Sequence, residues 1–488
     1  MPAHRTLIRS TCLALPVAVL AFIGTGTAAP PDAAALKREI AAAIEQLGGG
    51  GKDRVIVYDK LEVTPEGEAF RVAVDGLAFR SEPDTLRFGD VGFRLKPQAD
   101  GNYAIDDLTV PSEIKGGPKD HVVTAELPKV SFSGLWSPQL AGFIGADASI
   151  EKFSIGDSTG KGAVDKLTLK FNSVEKNKGR WDQSMQLVVD GVHFGAEQSK
   201  GFSLGELAIG SETSDFDLVA WSDLQRRLKA ASQSGQPLDA ETVKQLGEIG
   251  KIIGATKGTI RIADLSAQDD SEHWSFALPT ATLSGGVSGL DQPLSGFTLD
   301  LSYDGVKVET GAKETDDLAL ALAPNRMTLA LALEDLPTKE FFGGLVALLT
   351  QEQQAKEDKR SELAMQFAGA MQGAITQAGS KFRIGPSVID SKLVKIKLEG
   401  LAQASGTAAL GGVAVVKFDI VGLDEAIKAA KAALGPNDAD SAKALDVLRL
   451  VSERHKESDG TVVDHYTFSL APEGDMKIND KPIDSLFQ

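Results

Sequence analysis

The apolar positions of this chain change their period along its length, and each change predicts a different element. In "PDAAALKREIAAAIEQLGGGGKD", Leu36, Ile40, Ile44 and Leu47 recur at spacings of four and three, the stripe of an amphipathic helix within residues 29–51. The four glycines ending at Gly51 stop it. From Arg54 to about Gly210 the period becomes two, as in Val55 and Val57, Leu61 and Val63, or Leu167, Leu169 and Phe171. Short alternating runs broken by Gly, Asp, Asn and Pro predict antiparallel strands with one buried face, so residues 52–215 read as a β-rich region.

Helical spacing returns three times. Residues 216–257 place Leu218, Trp221, Leu224 and Leu228 on one stripe. Residues 337–380 open with Thr338 as the expected N-cap and run through Leu363, Phe367, Met371 and Ile375 at intervals of four. Residues 423–456 form the third, split by "LGPNDAD". Strand patterns fill 258–336 and 381–422, and residues 457–488 read as a closing β-hairpin. The predicted class is α+β and mainly β: repeated, curved antiparallel sheets with amphipathic helical insertions packed on the apolar face.

Part of the β pattern repeats. "FRVAVDGLAFRS" (70–81) and "MQLVVDGVHFGAE" (185–197) share an Asp-Gly step, and each follows a related run, "YDKLEV" (58–63) and "VDKLTL" (164–169). Such self-similarity marks copies of one supersecondary unit. "LDLSYDGVKVET" (299–310) and "VKIKLEGLAQAS" (394–405) match over a shorter span. The acid-glycine pairs are Asp75 and Gly76, Asp190 and Gly191, Asp304 and Gly305, and Glu399 and Gly400. A metal site would need further carboxylates or histidines at fixed offsets, and none recurs beyond Glu82 and Glu197. The pairs therefore read as structural turns or bulges, where glycine enters positive φ without cost.

The N-terminus adds an address. Arg5 and Arg9 precede an apolar stretch from Cys12 to Ile23 and the small residues "GTGTAA", the order of a signal peptide over residues 1–28. That stretch is well short of the ~20 residues needed to span a bilayer, so no transmembrane span is expected after cleavage. Cys12 is the only cysteine and lies in the signal, which excludes disulfides, thiolate metal sites and cysteine nucleophiles from the mature chain. Residues 1–28 hold two arginines and no acid, so the formal charge moves from −17 to −19 on their removal. So acidic a chain is a poor partner for nucleic acid, and the expected location is the periplasm.

Motifs with chemical meaning are weak. "GFSLG" (201–205) matches the serine-hydrolase pattern, but a strand pattern follows Ser203 where a helix is required. "GDSTGKG" (156–162) lacks the spacing of a phosphate loop and reads as a loop. His121, His193, His273, His455 and His465 show no i, i+4 pair for zinc. No catalytic residue, metal ligand or cofactor is expected. The candidate site is instead an apolar groove under the second helical segment, lined by Phe341, Phe342, Leu345, Leu349, Leu363, Phe367, Met371 and Ile375.

The repeated "V-x-V-D-G-L" strands, the export segment, the helical interludes and the ending "GDMKINDKPI" (474–483) resemble the YdgA-like and AsmA-like bacterial envelope proteins. Asp480 stands where that ending usually has glycine, and the export segment is shorter than the membrane anchor of such chains. The resemblance implies lipid movement through the cell envelope. The expectation is an exported, non-enzymatic protein that binds or transfers a lipid or other apolar molecule; the alternative is an envelope scaffold that binds another envelope protein and no small molecule.

Overall fold

A computed structural model describes residues 32–48, 56–81, 84–116, 122–138, 140, 142–157, 160–197, 200–234, 238–309, 317–354, 357–434 and 439–485. The signal at 1–28 and the glycines that end the first helical pattern at 49–51 lie outside them. Two compact units divide the chain: unit 1 takes residues 1–212 and 262–271, and unit 2 takes 213–261 and 272–488.

Unit 1 begins with helix α1 (Ala33–Gly48). Its strands are β1 (Ile56–Val57), β2 (Lys60–Glu66), β3 (Ala69–Ser81), β4 (Asp84–Pro97), β5 (Tyr103–Thr109), β6 (Glu113–Gly116), β7 (Val123–Glu126), β8 (Lys129–Ser137), β9 (Gly142–Asp157), β10 (Gly160–Asn177), β11 (Arg180–Glu197) and β12 (Lys200–Phe216), whose residues 213–216 belong to unit 2. All described pairings are antiparallel. β1 and β2 share one edge of β3, whose other edge carries β4; β5 and β6 share the far edge of β4. β8 and β7, which pair with β5 and β6, share an edge of β9, and β10 and β11 follow. The stripe read from sequence closes this sheet: Leu36, Ile40 and Ile44 of α1 are buried in one cluster with Val72, Leu95, Ile105 and Trp136. Trp136 stacks edge-on against Phe143 at 5.1 Å, a favourable aromatic geometry.

The internal repeat has a structural counterpart. Lys60 faces Asp75 across β2 and β3, and Lys166 faces Asp190 across β10 and β11. In each copy the next glycine, Gly76 or Gly191, has φ +63°, and a Cβ there would run into the carboxylate of Asp59 or Asp165. Both copies therefore need glycine for two reasons, backbone hand and space. Gly76 also donates its N–H to Asp90 at 3.0 Å, at the register shift between β3 and β4.

Unit 2 opens with α2 (Leu218–Ser234) and α3 (Ala240–Gly247), whose first turn is capped by Asp239 accepting from Thr242 N at 2.7 Å. Leu224 is buried with Phe216 and Ile252, packed by Leu218, Trp221 and Leu228 of the predicted stripe. The strands are β13 (Ile253–Asp269), whose residues 262–269 belong to unit 1, β14 (Trp274–Ser288), β15 (Leu294–Asp304), β16 (Lys307–Glu309), β17 (Arg326–Pro337), β18 (Lys381–Asp390), β19 (Lys395–Ala404), β20 (Gly412–Val421), β21 (Glu453–Lys456), β22 (Val462–Leu470), β23 (Met476–Ile478) and β24 (Lys481–Pro482). They form an antiparallel run β14–β15–β17–β18–β19–β20–β22, with β21 and β23 on the far edge of β22. Between them come α4 (Asp317–Leu322), α5 (Thr338–Gln354), α6 (Glu357–Ala378), α7 (Leu423–Ala433) and α8 (Ala439–Val451). The β-rich region expected over 258–336 also contains α4, which is six residues long. Thr338 opens α5 without capping it: its hydroxyl is buried and has no hydrogen-bond partner among the described residues. Among the described residues, no helix is long and apolar enough to cross a membrane.

The other two acid-glycine pairs differ from the repeat. Gly305, at φ +77°, breaks the path between β15 and β16 beside Pro279. Gly400 corrects the expectation of a turn or bulge. It pairs in register with Ile384 and Val416 inside β19 and has no positive φ. Space selects glycine there, since a Cβ would stand 3.0 Å from Val416 Cγ2. The bulge lies in the facing strand, between Ile384 and Ser387.

Candidate functional site

Register places the side chains of unit 2 on two unlike faces, because residues i and i+2 of a strand share a side and paired residues share it across the ladder. On one face, Leu283 of β14 pairs with Leu301 of β15, which pairs with Leu329 of β17. The next row runs Gly285, Leu299, Leu331, Ile384, Gly400 and Val416 across six strands. The opposite face of the same strands carries Thr282, Ser284, Thr298, Asp300, Ser302 and Thr328. The sheet is therefore amphipathic, and its apolar face has to be hidden or occupied.

Helices pack on that face towards both strand ends. At one end Phe341 of α5 meets Phe297 of β15, ring centroids 6.2 Å apart. At the other, α7 and α8 bury Leu423, Ile427 and Val451 against Phe418, Ile420 and Tyr466. Between them the apolar rows stay partly open: Leu299 is 46% exposed and Leu283 39% exposed, while Leu301, Leu329, Leu331 and Ile384 are half-buried. With α5 packed on β15 towards one strand end and α7 and α8 packed on β20 and β22 towards the other, this apolar band forms a shallow trough running across the strands.

The residues expected to line a groove are placed differently from that expectation. Met371 is buried, and Phe367 and Met371 fill the seam between α5 and α6, where a Cβ at Gly344 would lie 2.9 Å from Phe367. Phe341 and Phe342 pack edge-to-face at 5.2 Å, half-buried, and Leu363 and Ile375 are half-buried on α6. The side chains of Leu345 and Leu349 lie outside the described ones. The set thus forms helix-to-helix packing and one wall; the floor is sheet. The floor leucines were the residues missed, and the signal for them was present: "FTLDLSYD" and "MTLALALE" alternate in step.

Next to the trough a polar clasp holds the C-terminal helices. Asp464 is 1% exposed, and Arg454 donates to both its oxygens at 3.0 Å while also gripping Asp424 with two bonds of 2.8 Å. Arg449 adds a third bond to Asp424 at 2.8 Å. These guanidinium bonds hold the Asp424 carboxyl down to about 2 and push Arg454 up. Buried Asn479, at φ +47°, donates to Val451 O and His465 O and accepts from Thr467 N. Every polar atom named has a structural partner, as a buried network requires.

The weak motifs lie in ordinary strands. Ser203 sits in β12 with its hydroxyl 2.6 Å from that of Ser266, a cross-strand pair and not a strand-to-helix elbow. Gly156 and Lys161 face each other at the β9–β10 hairpin, whose residues 158–159 lie outside the described ones. His193 pairs with Ala163 inside β11. His465 sits opposite Asp419, Nδ1 to Oδ1 at 2.6 Å, with Thr467 Oγ1 3.0 Å from Nε2; strand pleat and register put the three on one face. Among the described residues, no group of three His, Cys, Asp or Glu is placed to hold a metal ion. No family model, curated protein or solved structure matches the chain.

Proposed function

We propose that this is an exported, non-enzymatic protein of the periplasm that carries a lipid acyl chain, or an apolar molecule of like shape, in the trough of unit 2. The observation that supports the reading is the half-open apolar band, leucine on β14, β15 and β17 and continued by Ile384, Gly400 and Val416 to β20, with α5 packed on β15 towards one strand end and α7 and α8 on β20 and β22 towards the other. Six strands leave five gaps of ~4.8 Å, so the floor is about 24 Å long. One bilayer leaflet has about half of the ~30 Å hydrocarbon thickness, so an extended acyl chain fits the floor lengthwise. Water over the band is replaced by hydrocarbon on both partners, which favours binding in proportion to the apolar area covered. The envelope resemblance of the sequence points the same way.

The test is uptake of a fluorescent fatty acid by delipidated protein. Saturable uptake is expected, and Leu283→Ser with Leu299→Ser, both at open positions, should reduce it at least tenfold while leaving the unfolding midpoint in place. A folded sample that takes up no probe overturns the reading, as does a double variant that binds as well as the parent. Native mass spectrometry that finds a stoichiometric protein and no lipid on the purified chain favours the scaffold alternative.

A further inference from the structure

The polar face of unit 2 is interrupted where β18 bulges. Ile384 pairs with Gly400 and Ser387 with Leu398, so Gly385 and Pro386 together stand opposite Glu399. Neither projects a long side chain, and the ladder is repaired locally: Ser387 Oγ accepts from Ala330 N at 3.1 Å and donates to Gly385 O at 2.9 Å, while Thr328 Oγ1 accepts from Val388 N at 3.2 Å. The bulge leaves a cavity of about 300 Å³, the lower end of the range used by small-molecule sites. Ile384 and Gly400 of the trough row border it, whereas Glu399, Leu401, Val415 and Lys417 alternate with Gly400 and Val416 along β19 and β20 and so belong to the opposite face of the sheet.

Its walls are of two kinds. Leu401, Pro386 and the exposed Val415 give an apolar floor. Three charged groups stand on the rim with bonding capacity to spare. Arg383 gives Nε and Nη2 to Glu334 at 2.9 and 3.2 Å, and its Nη1 makes no bond among the described residues. Lys417 Nζ and Glu399 Oε1 form a loose, exposed ion pair at 3.7 Å, beyond hydrogen-bond reach, so each can still bond a ligand. Two cationic donors and one carboxylate acceptor therefore converge on one small cavity, with Glu334 already committed to Arg383. A ligand carrying only negative charge would meet Glu399, and one carrying only positive charge would meet Arg383 and Lys417.

We infer that this bulge cavity binds a small zwitterion, a phosphate or carboxylate held by Lys417 and Arg383 Nη1 next to an ammonium held by Glu399. Its short connecting carbons lie over Val415 and Leu401. Charge-assisted bonds to both ends give the selectivity, because either end alone leaves an opposing charge unpaired. The same head chemistry occurs free in solution and on zwitterionic phospholipids, and this site is separate from the acyl-chain trough.

Calorimetric titration with phosphoethanolamine, inorganic phosphate and ethanolamine tests it on the full mature chain. Phosphoethanolamine is expected to bind one per chain at least tenfold more tightly than either fragment. Lys417→Gln and Glu399→Gln, both at exposed positions, should each weaken it at least tenfold without moving the unfolding midpoint. Flotation with phosphatidylethanolamine vesicles, against phosphatidylglycerol vesicles, assigns the source: flotation on the former alone identifies a membrane headgroup, and its absence with retained binding identifies a free solute. The inference is overturned by no binding of phosphoethanolamine, by phosphate binding as tightly as the zwitterion, or by indifference to both substitutions. Leu283→Ser with Leu299→Ser leaves this titration unchanged, so its failure and that of the acyl-chain reading are told apart.

Discussion

Units 1 and 2 are built from the same material, long antiparallel strands with one apolar face, and they treat that face differently. In unit 1 a single cluster of twenty-four buried residues joins α1 to nearly every strand from β2 to β11. Among the described residues of unit 2 the two clusters of buried residues are small, four and three, and both include helix residues. The leucines of β14, β15 and β17 belong to neither cluster and remain half-open. A closed face is a source of stability, and an open one is a surface available to a ligand. Unit 2 compensates with polar bonding at its C-terminal end, where Arg454 ties α7 and the start of β21 to buried Asp464.

That contrast can be broken most severely at the clasp. Arg454→Ala leaves the Asp464 carboxylate buried without its cation and should destabilise the chain by ~3–5 kcal/mol in urea unfolding; a loss below about 1 kcal/mol would mean the network is not what holds this end. Next comes a matched pair of leucines. Leu95→Ala, at a site with 0% exposure in unit 1, should cost ~2–5 kcal/mol through the cavity it opens, whereas Leu299→Ala should stay within ~0.5 kcal/mol. Equal costs at the two sites would erase the distinction between sealed and open faces. The smallest effect is in pH. Asp424 titrates at about 2 in the fold, chiefly through its bonds to Arg454, against an ordinary 3.8. A lowered carboxyl stabilises the fold above its unfolded value, so this contribution is present above pH 3.8 and disappears as pH falls towards 2. Asp424→Asn should flatten the acid limb of the stability curve over that window, and an unchanged limb would place the acid sensitivity elsewhere.

Much of the fold was legible because the period of apolar residues is a local property. Leu36, Ile40 and Ile44 marked α1, and the alternation around Val72 and Leu167 marked strands that do carry equivalent registers in the two repeat copies. The Asp-Gly step was readable as architecture, though only pairing shows why: Asp59 and Asp165, 17 and 26 residues away in sequence, occupy the space a side chain would need. Gly400 looked like a third copy and obeys another rule, close approach to Val416. The expected groove lining was placed on helices for a related reason. Spacing finds an apolar stripe on α6 but not what that stripe touches, and Phe367 and Met371 meet α5 while Leu299 and Leu283 meet nothing comparable. The bulge cavity could not be read at all, since it depends on two residues of β18 standing opposite one of β19.

The most direct measurement maps a photoreactive fatty acid onto the mature protein by irradiation, digestion and mass spectrometry. Adducts concentrated on residues 283–301, 327–333 and 384–400 are what an open leucine floor requires. Labelling spread over unit 1, or absent from those three stretches in a folded sample, would show that the band binds no chain.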